Sequence, residues 1–196
     1  SPRTMSAPYC YKHPRPAVTT DLIVFAWIDA SLRTLLVRRK AEPFEGRWAL
    51  PGGFLDVDEE AEAGARRELK EETGLVVPGA IDPLGFFAKV GRDPRGRTVT
   101  LAFAAILPSG SHPVRGGDDA AEAEWVPLDR AKGLAFDHDE ILAAATAWLR
   151  KRISTKTPDA LAILPRPVER PTVFALFKAV ELPPRGVPPW LLAAGG

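Results

Sequence analysis

The segment Gly53 to Leu75, GFLDVDEEAEAGARRELKEETGL, constrains this chain more than any other stretch. It predicts a helix from about Glu59 to Thr73 that stops at Gly74, because glycine readily takes the left-handed conformation that ends helices. On a helix advancing ~100° per residue, Glu68, Glu71 and Glu72 fall within an arc of roughly 100°. Like charges this close repel one another. A Glu-rich helix is by default a solvated face, here balanced by Arg66, Arg67 and Lys70. Its neighbourhood argues otherwise. Ala61 and Gly64 share the arc one to two turns earlier and leave room for something to dock. Hard divalent cations prefer oxygen ligands, and magnesium keeps several waters while bridging one or two carboxylates to substrate phosphates. Immediately upstream, Leu50-Pro51-Gly52-Gly53 supplies backbone that can approach a ligand closely, with carbonyls for a metal shell and amides for phosphate oxygens. Alone, the glycine pair would be an ordinary turn.

Around this segment the chain reads as mixed α/β. Asp21 to Ile28 and Thr34 to Arg39 form an expected hairpin around Asp29-Ala30-Ser31. Further strands are expected at Leu84 to Val90, Thr98 to Leu107 and Glu124 to Val126, the first two joined by the polar loop Gly91 to Arg97. A second helix is expected from His138 to Arg152, with Asp137 and Glu140 spaced as a capping box. Ile141, Leu142, Ala145, Trp148 and Leu149 form its apolar face. Each helix can bury one stripe and needs a sheet face to receive it, so a sheet covered by helices follows. Prolines set the boundaries: four precede Ala17 and eight fall in the last 39 residues. We therefore divide the chain into an N-terminal extension (1–16), a central domain (17–153) and a Pro-rich C-terminal extension (154–196). Residues 1–4 precede the only methionine, Met5, and are set aside. The tail is expected to pack along the domain, with one short helix over Thr172 to Glu181.

Composition excludes several function classes. A formal net charge of +1 provides no global basic field to hold nucleic acid by counterion release, so no nucleic-acid partner is expected. One cysteine, Cys10, and three scattered histidines build neither an internal disulfide nor a usual structural zinc site, which fits a reducing cytoplasm. No apolar run approaches the roughly 18 to 20 residues needed to span a bilayer, and the N-terminus lacks a secretory hydrophobic region. No membrane association is expected.

Gly53, Glu59, Arg67, Glu68, Leu69, Glu71, Glu72, Gly74 and Leu75 match every fixed position of the Nudix box. The chain thus resembles the Nudix hydrolases, from about Tyr11 to Arg152, including RWALPGGFLD, GRDPRGRTVTLAFAAI and AEAEWVPLD. The resemblance implies an α/β/α sandwich with a mixed β-sheet that hydrolyses a nucleoside diphosphate linked to another moiety. It implies Mg2+ (or Mn2+) held by Glu68 and Glu72, with Gly52 backbone nearby and Glu71 as a further ligand or water-orienting base. Arg67 and Glu59 would keep loop and helix in shape. Glu72 is expected to face solvent, so that its loss harms activity and not stability. Several Nudix enzymes use a further acidic base outside the box. The loop before Trp125 offers Asp118, Asp119, Glu122 and Glu124, of which Asp119 and Glu122 are the leading candidates. A homodimer is expected by resemblance alone.

Substrate choice lies outside the box. Tyr11 to Pro16, Arg92-Asp93-Pro94-Arg95-Gly96-Arg97 and Phe136-Asp137-His138 look like the branch containing ADP-ribose pyrophosphatases and Nudix-related regulators of NAD metabolism. Arg92, Arg95 and Arg97, with Gly52 and Gly53, are the expected contacts to phosphate or ribose oxygens, although the same arginines suit an exposed hairpin loop. Phe86, Phe87 and Phe103 are read as core, and His138 as a helix-start or packing residue. The reading that follows is a hydrolase splitting ADP-ribose, or a similar sugar nucleotide, into AMP and a sugar phosphate. The alternatives are a house-cleaning nucleoside triphosphate pyrophosphohydrolase and a truncated ligand-sensing regulator. The intact box and the proline-broken segment after Arg152 argue against the last.

Overall fold

Strand β1 (Ala17–Ile28) runs through the middle of the molecule, and Leu22 to Ala26 are fully buried on both of its faces. A near-continuous apolar run is what a strand covered on both sides requires. The computed structural model describes residues 11–117, 120–155 and 157–183. β1 pairs antiparallel with β2 (Ser31–Arg39) and parallel with β6 (Thr98–Ile106). β2 also pairs with β3 (Trp48–Ala49) and β7 (Ala120–Pro127), β1 with β4 (Gly52–Phe54), and β6 with β5 (Asp82–Phe87). The order β3-β2-β1-β6-β5, with one parallel pairing among antiparallel ones, makes a mixed sheet.

Side-chain alternation divides the core in two. Ile23, Phe25 and Trp27 point to one face, where they meet α2 (His138–Ser154), α3 (Pro158–Ala162) and α4 (Arg170–Ala179). Leu22, Val24 and Ala26 point to the other and meet Ala65 and Leu69 of α1 (Ala61–Thr73). Helices thus cover both faces, and the α/β/α sandwich expected from the sequence is the fold observed. Full burial of each large aliphatic or aromatic side chain contributes about 1.5–3 kcal/mol.

Local departures have local causes. The hairpin turn is only two residues, Asp29 (φ 49°) and Ala30 (φ 58°), so β2 begins at Ser31. A two-residue turn with both φ positive matches the right-handed twist of the strands. The Asp137/Glu140 capping box does not form. Asp137 makes no cap bond because its carboxylate is taken by Arg92, while Asp139 accepts the amides of Gly133 and Leu134. Phe103 is buried and Phe87 packs on the core, but Phe86 is 72% exposed on the edge strand β5. The described part of the tail forms two helices. Pro158 and Pro171 fall in their first turns, where a missing N–H costs nothing, and Val173, Leu176 and Phe177 enter the α2 side of the core.

Ala30 holds a left-handed conformation that disfavours any Cβ. Ala30→Gly is expected to raise stability by about 0.5–1 kcal/mol. Urea unfolding of the variant beside the parent checks this through the midpoint at unchanged slope.

Candidate active site

Helix α1 presents its carboxylates to a loop with no room for side chains. A Cβ on Gly53 would lie 2.5 Å from the Glu68 carboxyl carbon. One on Gly52 would lie 2.3 Å from the Thr20 carbonyl oxygen and 2.5 Å from Asp21 Oδ1. The Gly52 amide donates to Glu72 Oε2 at 3.0 Å. Backbone at residues 52–53 is therefore wedged between β1 and α1. The last turn of α1 is closed by the amides of Gly74, Arg115 and Gly117, which donate to the carbonyls of Lys70, Thr73 and Glu72. Gly64 does not leave open space for a ligand: Leu55 and the Glu59 carboxylate fill it, 2.7 and 2.9 Å from where its Cβ would be.

Arg67 organises the acidic face. Its Nε and Nη2 grip both oxygens of Glu59 at 2.8 and 2.9 Å, and Nη2 also reaches the Phe54 carbonyl at 3.1 Å. Nη1 donates to Glu68 at 2.8 Å and Glu71 at 3.1 Å. The Arg67 hydrogen bonds hold Glu59 below the usual carboxylate range, and Glu59 in turn raises the guanidinium pKa. Glu68 moves the other way. Its burial, with Glu71 and Glu59 nearby, pushes its pKa up despite Arg67. A carboxylate whose charge is disfavoured in this way is one that a cation would relieve.

Glu68 and Glu72 line a cleft of about 400 Å³ together with Asp21, Gly52 and Gly53. Arg38, Arg39, Lys40, Arg95, Phe54 and Phe136 line the same cleft. Glu72 does not face open solvent as expected; it is 9% exposed and bound to the Gly52 amide. Glu71 lies outside the lining, 43% exposed and paired with Arg67. Among the described residues no three acidic, histidine or cysteine side chains are already assembled as a metal cage. Two carboxylates beside bare glycine backbone nevertheless suit a magnesium-like ion that keeps much of its water.

The three loop arginines separate. Arg95 lines the cleft, clamped by Asp93, its guanidinium carbon 5.1 Å from the Phe54 ring centre and 5.6 Å from that of Phe136. Burial pushes the Asp93 carboxyl up, but its hydrogen bonds from Arg95 outweigh this and hold it below its usual range. Arg92 also borders the cleft, yet its side chain is 4% exposed and makes a two-point pair with Asp137 at 2.7 and 2.9 Å. Arg97 lies outside the lining and donates to the carbonyls of Ala88 and Lys89, tying its own loop. Glu122 is exposed on β7, 3.3 Å from Arg38; Asp118 and Asp119 lie outside the described residues.

Several cleft residues have no place in the expected site: Arg38, Arg39, Lys40, Phe54 and Phe136 on its walls, and the buried Asp21 and His138. Asp21, buried, accepts the Thr100 hydroxyl at 2.6 Å. A lone acid inside an apolar strand was the available signal. His138 accepts the Leu50 amide on Nδ1 at 2.9 Å and lies 3.7 Å from Asp21 Oδ1. Burial lowers its pKa, helped by Arg92 and Arg39 and opposed by Asp21 and Asp137.

Comparison with known proteins shows which family the chain is similar to. Residues 19–149 match the NUDIX domain. Over 133 residues, 68% of this chain and 75% of the relative, the sequence is 41% identical to an ADP-ribose pyrophosphatase of Methanocaldococcus jannaschii. A MutT/nudix family protein from Enterococcus faecalis superposes with a TM-score of 0.77 at 28% identity, covering 92% of this chain and 80% of that one. The NUDIX domain of Shewanella oneidensis NrtR, complexed with ADP ribose, superposes with a TM-score of 0.65 at 33% identity, covering 72% and 94%.

Two outcomes follow from the buried charges. Asp137→Ala strands the Arg92 guanidinium and is expected to cost about 3–5 kcal/mol, measured by urea unfolding. An unchanged midpoint with a raised KM would instead put Arg92 on the substrate. His138 resists protonation in the folded state, whereas the unfolded chain takes up a proton near pH 6.5. Its contribution is therefore intact above that pH and is lost as pH falls below it, by up to ~1.4 kcal/mol per pH unit. Unfolding titrations from pH 7.5 to 5 should show that slope in the parent and a shallower one in His138→Gln.

Proposed function

Because this chain belongs to the Nudix family, we propose that it hydrolyses the pyrophosphate of ADP-ribose, or a similar nucleoside diphosphate derivative, to AMP and a sugar phosphate. The observation that carries this reading is the meeting of Glu68, Glu72 and the 52–53 backbone in one cleft with Arg38, Arg39, Lys40 and Arg95. Glu68 and Glu72, with the Gly52 carbonyl, would hold Mg2+ or Mn2+, which when bound neutralises diphosphate charge and lowers the pKa of a water. The chain's own residues do the rest. Arg67 fixes the direction of Glu68 and ties loop 54–59 to the helix. Glu71, outside the cleft lining, helps hold the Arg67 guanidinium that orients Glu68. The cleft cations meet diphosphate and ribose oxygens, and Arg95, set against two aromatic rings, offers its free edge in a fixed direction. We further propose a homodimer acting in the cytoplasm on a small nucleotide; family resemblance supports the first, and the single cysteine the second.

The deciding experiment is turnover of ADP-ribose beside a panel of dinucleotides and nucleoside triphosphates, with Mg2+ or Mn2+ and with products identified. AMP and ribose 5-phosphate are expected. Turnover of triphosphates alone would move the enzyme to another substrate class. Glu72→Gln is expected to lower kcat/KM by about 100-fold or more. Its unfolding midpoint should hardly move, because the glutamine oxygen can still accept the Gly52 amide.

A further inference from the structure

We propose that His138 is a positioning residue for the loop Leu50 to Gly53, holding from α2 the backbone that Glu72 holds from α1. The inference rests on the reading of this loop as part of the hydrolase site. Pro51 has no amide hydrogen, so residues 50–52 have two N–H groups to place. Both go to side chains of different helices: Leu50 to His138 Nδ1 at 2.9 Å and Gly52 to Glu72 Oε2 at 3.0 Å. The Pro51 carbonyl accepts the Leu22 amide at 3.0 Å, which completes the attachment to β1.

The imidazole is built into its place. His138 is 5% and Leu50 2% exposed, so the bond between them is shielded from water and its loss leaves a buried donor unpaired. Accepting a backbone N–H requires Nδ1 to carry no hydrogen, which puts the ring hydrogen on Nε2, toward Asp21. Asp21 is fixed by Thr100 and is the register partner of Gly52, so the two ends of the loop rest against neighbouring polar groups. The ring of Phe136 lies 5.3 Å from the imidazole. Asp137, the preceding residue, is pinned by Arg92, which fixes where the first turn of α2 starts. His138 thus acts on the reaction through the loop.

The test uses the full chain and two substitutions. His138→Phe keeps the ring and removes the acceptor; His138→Asn offers a carbonyl oxygen near the position of Nδ1. Three readouts are taken: hydrogen exchange of residues 48–54 without metal or substrate, Mn2+ binding by electron paramagnetic resonance without substrate, and kcat and KM for ADP-ribose. His138→Phe is expected to speed exchange, weaken Mn2+ binding and lower kcat, the last two by about 10-fold or more, with KM changing less than about threefold. His138→Asn should return each value toward the parent. A folded His138→Phe with parental exchange and Mn2+ binding overturns the proposal, as does a His138→Asn as defective as His138→Phe. If His138→Phe does not fold, His138→Gln, whose oxygen falls nearer Nε2, must show the same losses. Exchange and Mn2+ binding need no substrate, so a parent that ignores ADP-ribose would sink the substrate reading and leave this one standing.

Discussion

Everything chemical in this molecule depends on how closely the backbone at Gly52 and Gly53 can lie between β1 and the carboxylates of α1. Any side chain there would collide with Thr20 or Asp21 on one side and with Glu68 on the other. Because the loop is bare, Glu72 can take the Gly52 amide, and Glu68 can stand directly against the chain at Gly53. The cost of gathering acids is met mainly by Arg67. One guanidinium neutralises parts of Glu59, Glu68 and Glu71, and also holds the Phe54 carbonyl, so the electrostatic and geometric problems have one solution. Burial, with Glu71 and Glu59 nearby, still pushes the Glu68 pKa up despite Arg67, and a bound cation would relieve that charge.

The cleft is polar and mixed in sign, with acids from β1 and α1 and cations from β2, its following loop and the loop before β6. A substrate that is itself anionic in the middle and uncharged at its ends suits such a lining better than an apolar ligand would. The buried Arg92–Asp137 pair and the Asp93–Arg95 clamp fix the 91–97 loop to the start of α2 and to itself.

What could be read in advance was what is local. The spacing from Gly53 to Leu75 contains its own reasons, since helix periodicity alone brings Glu68 and Glu72 together, and Gly74 ends the helix with φ 72° where the sequence places it. The apolar runs of β1 and β6 likewise announce strands. Other features were hidden because their causes lie far along the chain. Asp137 looks like a cap until Arg92, 45 residues away, claims it. His138 looks like a packing residue until the Leu50 amide, 88 residues away, is found on it. The short strands β3 and β4 carry too few residues for periodicity to register, and Pro171 marks the first turn of a helix, not a break.

The two faces of the sheet are unequally roofed. Among the described residues one carries only α1, and the other carries α2, α3 and α4 over a larger apolar cluster. Free energy of local opening tracks the apolar area an element covers, so breathing motions should concentrate under the thinner roof. That roof is also the one bearing Glu68 and Glu72. The carboxylates of the cleft therefore sit on the layer expected to open first, while the heavier layer behind β1 backs the sheet.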